Sequence, residues 1–365
     1  MKIFIINTVQ TGKNGITNVI FNYLSSMDRD GMTIDFLSLN QPDKLYVDIV
    51  EQGGGKVYVL PNRNRIIAYW NGLRQLIKRE QYNIIHIHGN SHTTLLELSA
   101  AKMAGCDVRI VHAHSTSCKH IVSHRILSSL FNALCTHGLA CGKEAGSFMF
   151  GTTPFEVMNN GVDTTRFAYN EKQRTNVRKS LKMEDNLILG HVGYFKPLKN
   201  QSFIVDIFEC LYKKNPLYRL ILIGDGPLKD EVYQKIVKKG LADVVYMPGN
   251  IDNVDNYLNA IDLIVMPSLF EGLPLSLMEQ QASGLQCVVS DTITREVDKT
   301  GNLLFLPLSL SANEWAENIV SYKDEITREE RSRRAVESIR VAGYSIKEEA
   351  RKLRSYYQNT LKKEA

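Results

Sequence analysis

Short solid runs of apolar residues alternate along this chain with longer stretches in which apolar residues return every third or fourth position. The first cycle is the apolar strand Lys2 to Asn7, the polar loop Thr8 to Gly15, and Ile16 to Met27, where Ile16, Val19, Ile20, Tyr23, Leu24 and Met27 share a helical face. Strands follow over Thr33 to Leu39, Lys56 to Leu60 and Asn83 to His88, with an amphipathic helix from Arg65 to Glu80 before the last of them. A helix from Thr93 to Ala104, a strand from Val108 to His112, a helix over Arg125 to Cys135 and a short strand at Gly138 to Ala140 continue the series. Strands that are apolar on both faces and separated by helices predict an α/β doubly wound parallel sheet, covered on both sides.

The turn-rich passage Asn160 to Phe167 and the charged stretch Asn170 to Asp185 interrupt the alternation, which then repeats. Strands are predicted at Leu187 to Val192, Arg219 to Ile223, Val244 to Met247, Leu263 to Met266, Gln286 to Ser290 and Leu303 to Leu306. Helices fall between them at about 202–214, 228–238, 254–260 and 275–283. The reading is two Rossmann-like domains, 1–170 and 171–344, facing across a cleft. A final helix, about 345–365, carries Ile346, Ala350, Leu353 and Tyr357 on one face and is expected to pack back across the domain boundary. Ligands of such sheets bind outside the carboxyl ends of the strands.

A length of 365 residues with 44% hydrophobic content suits two ordinary domains, and a net charge of +5 is too mild to require nucleic acid. No Arg/Gly-rich tract, helix-turn-helix or zinc module is recognisable. The six cysteines, at 106, 118, 135, 141, 210 and 287, form no Cys-x-x-Cys pair and read as reduced thiols of a cytosolic protein. The apolar start is too short for a signal segment, and no run reaches membrane-spanning length, so a soluble protein able to touch a membrane surface is expected.

Candidate chemistry gathers just beyond the strands. Pro267 to Glu279 leads from a buried strand into a helix, whose first amides have no internal partner and attract an anion. Gly272 would allow close backbone approach, and Glu271 and Glu279 could reach opposite ends of one ligand. Gly193-Tyr194-Phe195-Lys196-Pro197-Leu198-Lys199-Asn200 places two lysines beside a helix start, suited to neutralising a leaving diphosphate. Gly224-Asp225-Gly226-Pro227 and Pro248-Gly249-Asn250 are sharp turns at the same edge. His86 with His88, and His112 with His114, invite a metal reading, but each pair lacks a nearby carboxylate or thiolate. One histidine of each pair is expected to be packed and hydrogen-bonded, and the last to meet substrate.

In this order these passages, together with Gly15-Ile16 and Asn160-Gly161-Val162-Asp163 with Phe167, resemble the retaining glycosyltransferases of family 4, which have the GT-B architecture. The likeness is greatest to members that build bacterial capsular or extracellular polysaccharides. The resemblance implies transfer of a sugar from a nucleotide diphosphate donor, a UDP-sugar, to a saccharide acceptor that is lipid-linked, with retained configuration and without a metal or other cofactor. It places Glu271 at the donor sugar and the backbone of Gly272, Leu273, Pro274, Leu275 and Ser276 around sugar and phosphate. Glu279 would hold the ribose, Lys199 the diphosphate, and Gly249, Asn250 and Ile251 the base. Gly15, Gly193 and Tyr194 would lie along the phosphates, and His114 would face the reacting centre. Two positions depart from the family: Tyr194 stands where an arginine is usual, and the first loop has Asn14-Gly15 in place of two glycines.

For peripheral membrane contact, Lys119, His120, His124 and Arg125 form a candidate basic patch beside Ile121, Val122 and Leu127. A nucleotide-sugar epimerase of the same fold and a non-catalytic partner subunit are the alternative readings, separated from a transferase by acceptor dependence and by turnover.

Overall fold

The computed structural model describes residues 1–119, 121–322 and 326–364. The chain divides into two units, Met1–Gly161 with Gly343–Ala365, and Val162–Ala342. In the first, β1 (Lys2–Asn7), β2 (Thr33–Ser38), β3 (Val57–Val59), β4 (Ile84–His88), β5 (Val108–Ala113), β6 (His137–Ala140) and β7 (Glu156–Val157) form one sheet. Its order is β3-β2-β1-β4-β5-β6-β7 and every pairing is parallel. In the second, β8 (Leu187–Val192), β9 (Tyr218–Ile223), β10 (Val245–Gly249), β11 (Leu263–Met266), β12 (Gln286–Ser290) and β13 (Leu303–Leu306) run in the order β10-β9-β8-β11-β12-β13, again all parallel. Strand order reverses between β1 and β4 and between β8 and β11, and a crevice opens at such a point because successive crossovers leave in opposite directions.

Each sheet owes its place to apolar residues on both faces. Phe4 stacks on Tyr82 with ring centroids 4.6 Å apart, and Leu73, Ile77, Ile85 and Val111 pack in the same core. Trp315 fills the second core and donates from its indole to the Pro307 carbonyl, 3.1 Å away, so its one polar atom is satisfied.

The domain boundary expected near 170 lies between Gly161 and Val162. The reason is long-range bonding by the turn-rich passage. Arg166 reaches Asp255 at 2.6 Å, the Tyr169 amide donates to Ser332 Oγ, and the Asn170 amide to Asn259 Oδ1. The charged stretch after it forms a helix, Glu171–Leu181, capped by the Asn170 side chain, with Arg174 and Arg178 both on Asp262. On the other side of the boundary, the Asn159 amide donates to Glu349 and its side-chain amide to the Gly343 carbonyl. A Cβ on Gly161 would stand 2.5 Å from Ile346 Cα, so only glycine lets these backbones meet.

The final helix, Ile346–Glu364, lies in the first unit, where Leu353 and Tyr357 are buried. The single helix expected over 125–135 is two, Ile121–Ile126 and Ser128–Leu134. Among the described residues no helix is long and apolar enough to cross a membrane.

Candidate functional site

In the second unit, the loops leaving β8 and β11 flank the point of strand reversal, and hydrogen bonds join them. The Leu269 amide donates to the Leu198 carbonyl at 2.8 Å, and Asn200 Nδ2 to the Pro267 carbonyl at 3.2 Å. Ser290, which ends β12, and Thr292 just after it both donate to the Ser268 carbonyl. Fixed this way, Lys199 Nζ stands 2.6 Å from Glu271 Oε1, with side chains only 11% and 13% exposed. The contact is an ion pair without hydrogen-bond alignment, so Glu271 Oε1 has an opposite charge beside it but no donor in line. The structure therefore brings together the two residues to which sequence assigned the diphosphate and the sugar.

The glycine turns act as supports. Gly224 has φ +138°, and a Cβ there would lie 2.1 Å from the Gly193 carbonyl oxygen; one on Gly226 would lie 2.5 Å from the Phe195 carbonyl oxygen. The Phe195 amide donates to the Asp225 carbonyl, and the Gly224 amide to that of Gly249. The loops after β8, β9 and β10 are thus laced backbone to backbone. Beneath them buried His191 donates from Nδ1 to the Val265 carbonyl, while Gln201 donates to the Tyr194 carbonyl. Desolvation, aided by the charge of Lys199, pushes the His191 pKa down to about 4, so it serves as a neutral strut.

The helix after Glu271 runs Leu275–Ala282, with Pro274 at its N-cap. A Cβ on Gly272 would meet nothing, so packing within the protein does not demand glycine there. Leu273 and Ser276 are partly exposed beside it. Desolvation raises the Glu279 carboxyl to about 7, Arg166 opposing the shift and Asp255 adding to it. Arg166 also donates to the Asp252 carbonyl, which fixes the loop carrying Asn250 and Ile251. Tyr194 is 58% exposed, its ring turned to solvent, and Lys196 is half-buried with no ion-pair partner among the described residues.

The first unit holds Gly15 and His114. Gly15 opens the helix Gly15–Ser26, and Asn14 caps it by accepting from the Thr17 amide, so the departure from a second glycine supplies a cap. The His114 amide donates to Asn90 Oδ1, and its Nε2 is 2.8 Å from His88 Nδ1. His86 Nδ1 meets the Tyr357 hydroxyl at 2.6 Å. Here one expectation fails: His112 is packed but neither of its ring nitrogens has a hydrogen-bond partner. Desolvation keeps all four imidazoles neutral, the His86 pKa down at about 3 and those of His88 and His112 well below the usual value.

The basic patch is also corrected. His124 is buried, stacked on His92 at 3.7 Å, and desolvation together with His92 lowers its pKa, so it gives the surface no charge. His120 lies outside the described residues. Lys119 and Arg125 are exposed, and the apolar face is larger than foreseen: Val122, Ile126 and Leu130 are 67%, 74% and 59% exposed. Sequence reasoning passed over Arg166, Ser290 and Thr292, whose roles depend on partners far along the chain; a motif neighbour of Phe167 was the one signal for Arg166.

Family models match in two stretches, Glycosyltransferase Family 4 over residues 13–166 and Glycosyl transferases group 1 over 186–325. EpsF of Bacillus subtilis, which bears the name of a glycosyltransferase, is 32% identical over 328 residues, 84% of each chain. An Escherichia coli enzyme named UDP-Gal:alpha-D-GlcNAc-diphosphoundecaprenol alpha-1,3-galactosyltransferase is 32% identical over 234 residues, 60% of each chain. Among solved structures, Anabaena HepE in complex with UDP and glucose aligns with a TM-score of 0.77 at 19% identity, over 98% of this chain and 100% of that one. WaaG, a glycosyltransferase involved in lipopolysaccharide biosynthesis, aligns at 0.70 with 14% identity, over 96% and 98%.

Proposed function

Because the chain belongs to the family 4 glycosyltransferases of GT-B fold, we propose that it moves a sugar from a UDP-sugar to a hydroxyl of a lipid-linked saccharide, with retention of configuration, during bacterial polysaccharide synthesis. The observation that carries this reading is the Lys199–Glu271 pair at the carboxyl ends of β8 and β11. A diphosphate would take up the charge of Lys199 and leave Glu271 free to accept from sugar hydroxyls. The first amides of helix Leu275–Ala282 would share the phosphate charge, and Glu279 would hold the ribose. The names of the E. coli relative and of the HepE complex support UDP as the nucleotide, and the former supports a lipid diphosphate acceptor.

In the reaction the bond from the anomeric carbon to the phosphate oxygen breaks, and the acceptor oxygen bonds to that carbon on the same face. The acceptor proton passes to the departing phosphate oxygen. Lys199 and the helix amides stabilise the charge on the leaving group, so this step draws on no metal at the diphosphate. His114 contacts the donor sugar or the acceptor, and positioning supplies much of the rate. Val122, Ile126 and Leu130, with Lys119 and Arg125, would rest on the inner face of a membrane bearing the acceptor. The protein would then be cytoplasmic and peripheral.

The test is UDP release from a panel of UDP-sugars, with and without lipid diphosphate saccharides, and the product's anomeric configuration read by NMR. Acceptor-dependent release that Glu271→Ala removes supports the reading; release without glycosidic product, or an inverted product, refutes it.

A further inference from the structure

Two histidine pairs, each without a partner in its own stretch of sequence, become partners of one another in the fold. β4 and β5 are neighbours, with His88 in register with His112, and so the alternate residues His86, His88 and His112 share one face of the sheet. One ligand-capable ring nitrogen from each lies within 4.8 Å of the other two, and all three side chains are buried. His86 Nε2, His88 Nε2 and both nitrogens of His112 have no hydrogen-bond partner. Buried polar atoms are nearly always satisfied, so four in one place need an occupant.

The space for it exists. A cavity of about 10 Å³ is bounded by His86, His88 and His112 on the sheet, by Tyr23 and Leu24 of helix Gly15–Ser26, and by Tyr357 of the final helix. It has room for one water or one small ion. The outer nitrogens of two rings are already engaged: His86 Nδ1 with the Tyr357 hydroxyl and His88 Nδ1 with His114 Nε2. A proton on each of those nitrogens leaves both Nε2 atoms as bare lone pairs, the outer hydrogen bonding that metal-bound imidazoles use to fix their tautomer. His112 adds a third lone pair. A water has two protons to offer three acceptors; a cation serves all three.

We propose that His86, His88 and His112 bind one late first-row transition ion of the Zn²⁺ class inside the first unit. A ligand set of neutral imidazoles with no carboxylate selects such an ion and disfavours Mg²⁺ and Ca²⁺. Three nitrogens no more than 4.8 Å apart sit within about 2.8 Å of their centre, and bonds of about 2.0–2.1 Å need each to close by at most about 0.7 Å, within the reach of side-chain torsion. The ion would tie helices Gly15–Ser26 and Ile346–Glu364 to the sheet through the rings they cover. It is separate from the transfer chemistry, and reaches His114 only through two of its ligand rings, His88, which hydrogen-bonds His114, and His112, which stacks on it.

The full chain, carrying no histidine tag, is expressed in medium supplemented with Zn²⁺ or Co²⁺, dialysed, and assayed by elemental analysis and visible spectroscopy. About one equivalent of metal per chain is expected, with the Co²⁺ form showing ligand-field bands of an imidazole site and a Tm about 5 °C above that of chelator-stripped protein. His112→Gln should lose the equivalent and His137→Gln keep it. Protein that retains no metal and gives the spectrum of aqueous Co²⁺ overturns the proposal and leaves an ordered water as occupant; so does metal held equally by His112→Gln. Should that variant not fold, the wild-type Co²⁺ spectrum decides alone.

Discussion

Replacing Glu279 with glutamine should make the protein more stable and a poorer binder of UDP, with both effects set by pH. The carboxyl is partly buried in the second unit and desolvation lifts it to about 7, against an ordinary value of 4.5. A raised carboxyl pKa means the folded state holds a proton that the unfolded chain releases. Stability from this group is therefore complete below pH 4.5 and is lost as pH rises through 7. The gap of about 2.5 units corresponds to about 3 kcal/mol, an upper bound because the carboxyl keeps some solvent contact. Glu279→Gln, always neutral, should escape that loss and melt several degrees higher at pH 8. Binding follows the opposite course, since ribose hydroxyls donate best to a carboxylate. With half-titration at 7, the ionised fraction falls about tenfold between pH 8 and pH 6, and affinity with it. The assay is calorimetric titration with UDP across that range, read as the ratio of wild type to Glu279→Gln, which cancels titration of the terminal phosphate of UDP. A ratio that stays flat from pH 6 to pH 8, or a variant that melts no higher than wild type at pH 8, would refute the reasoning.

Glycines at two positions should answer differently to alanine. Gly224→Ala forces a Cβ to 2.1 Å from the Gly193 carbonyl at a φ reserved for glycine, at a cost of about 2–4 kcal/mol and a fall in Tm of about 5–10 °C by calorimetry. Gly272→Ala meets no atom of the protein, so its Tm should hold while UDP affinity drops; an equal loss of Tm would show that the loop is packed differently. On the first unit, Ile126→Asp removes an exposed apolar anchor, and sedimentation with vesicles containing anionic lipid should weaken at least tenfold, the burial of one isoleucine being worth about 1.5–3 kcal/mol. Unchanged sedimentation would remove this face from any membrane role.

Among the described residues thirteen strands make up the two sheets, and the twelve that the apolar runs announce are there; β7 is two residues long, too short to leave a pattern. That Lys199 and Glu271 stand at one sheet edge was legible because each follows a solid apolar run, and order reversal between β8 and β11 then brings their loops together. What sequence could not show is adjacency in space. Nothing in the order of residues says that β4 pairs with β5, so His86-x-His88 and His112-x-His114 read as two incomplete sites. His124 read as a surface cation because it stands between Lys119 and Arg125 in the sequence, and only the stack on His92 reveals the buried side. The boundary was misplaced for the same reason, since Arg166 declares its allegiance through Asp255, far along the chain.

The return of residues 343–364 to the first unit makes the second unit an insertion within it. During synthesis, β1 to β7 leave the ribosome long before the helix whose Tyr357 bonds to His86 and whose Glu349 holds the Asn159 amide. The inserted unit has all its strands and can fold first. The earlier-made half must wait with part of its sheet uncovered, exposing apolar surface for as long as it takes to translate the intervening residues. The last-made residues thus complete the first-made unit, and a chain ended at Ala342 would hold every residue of the second unit and lack the closing helix of the first.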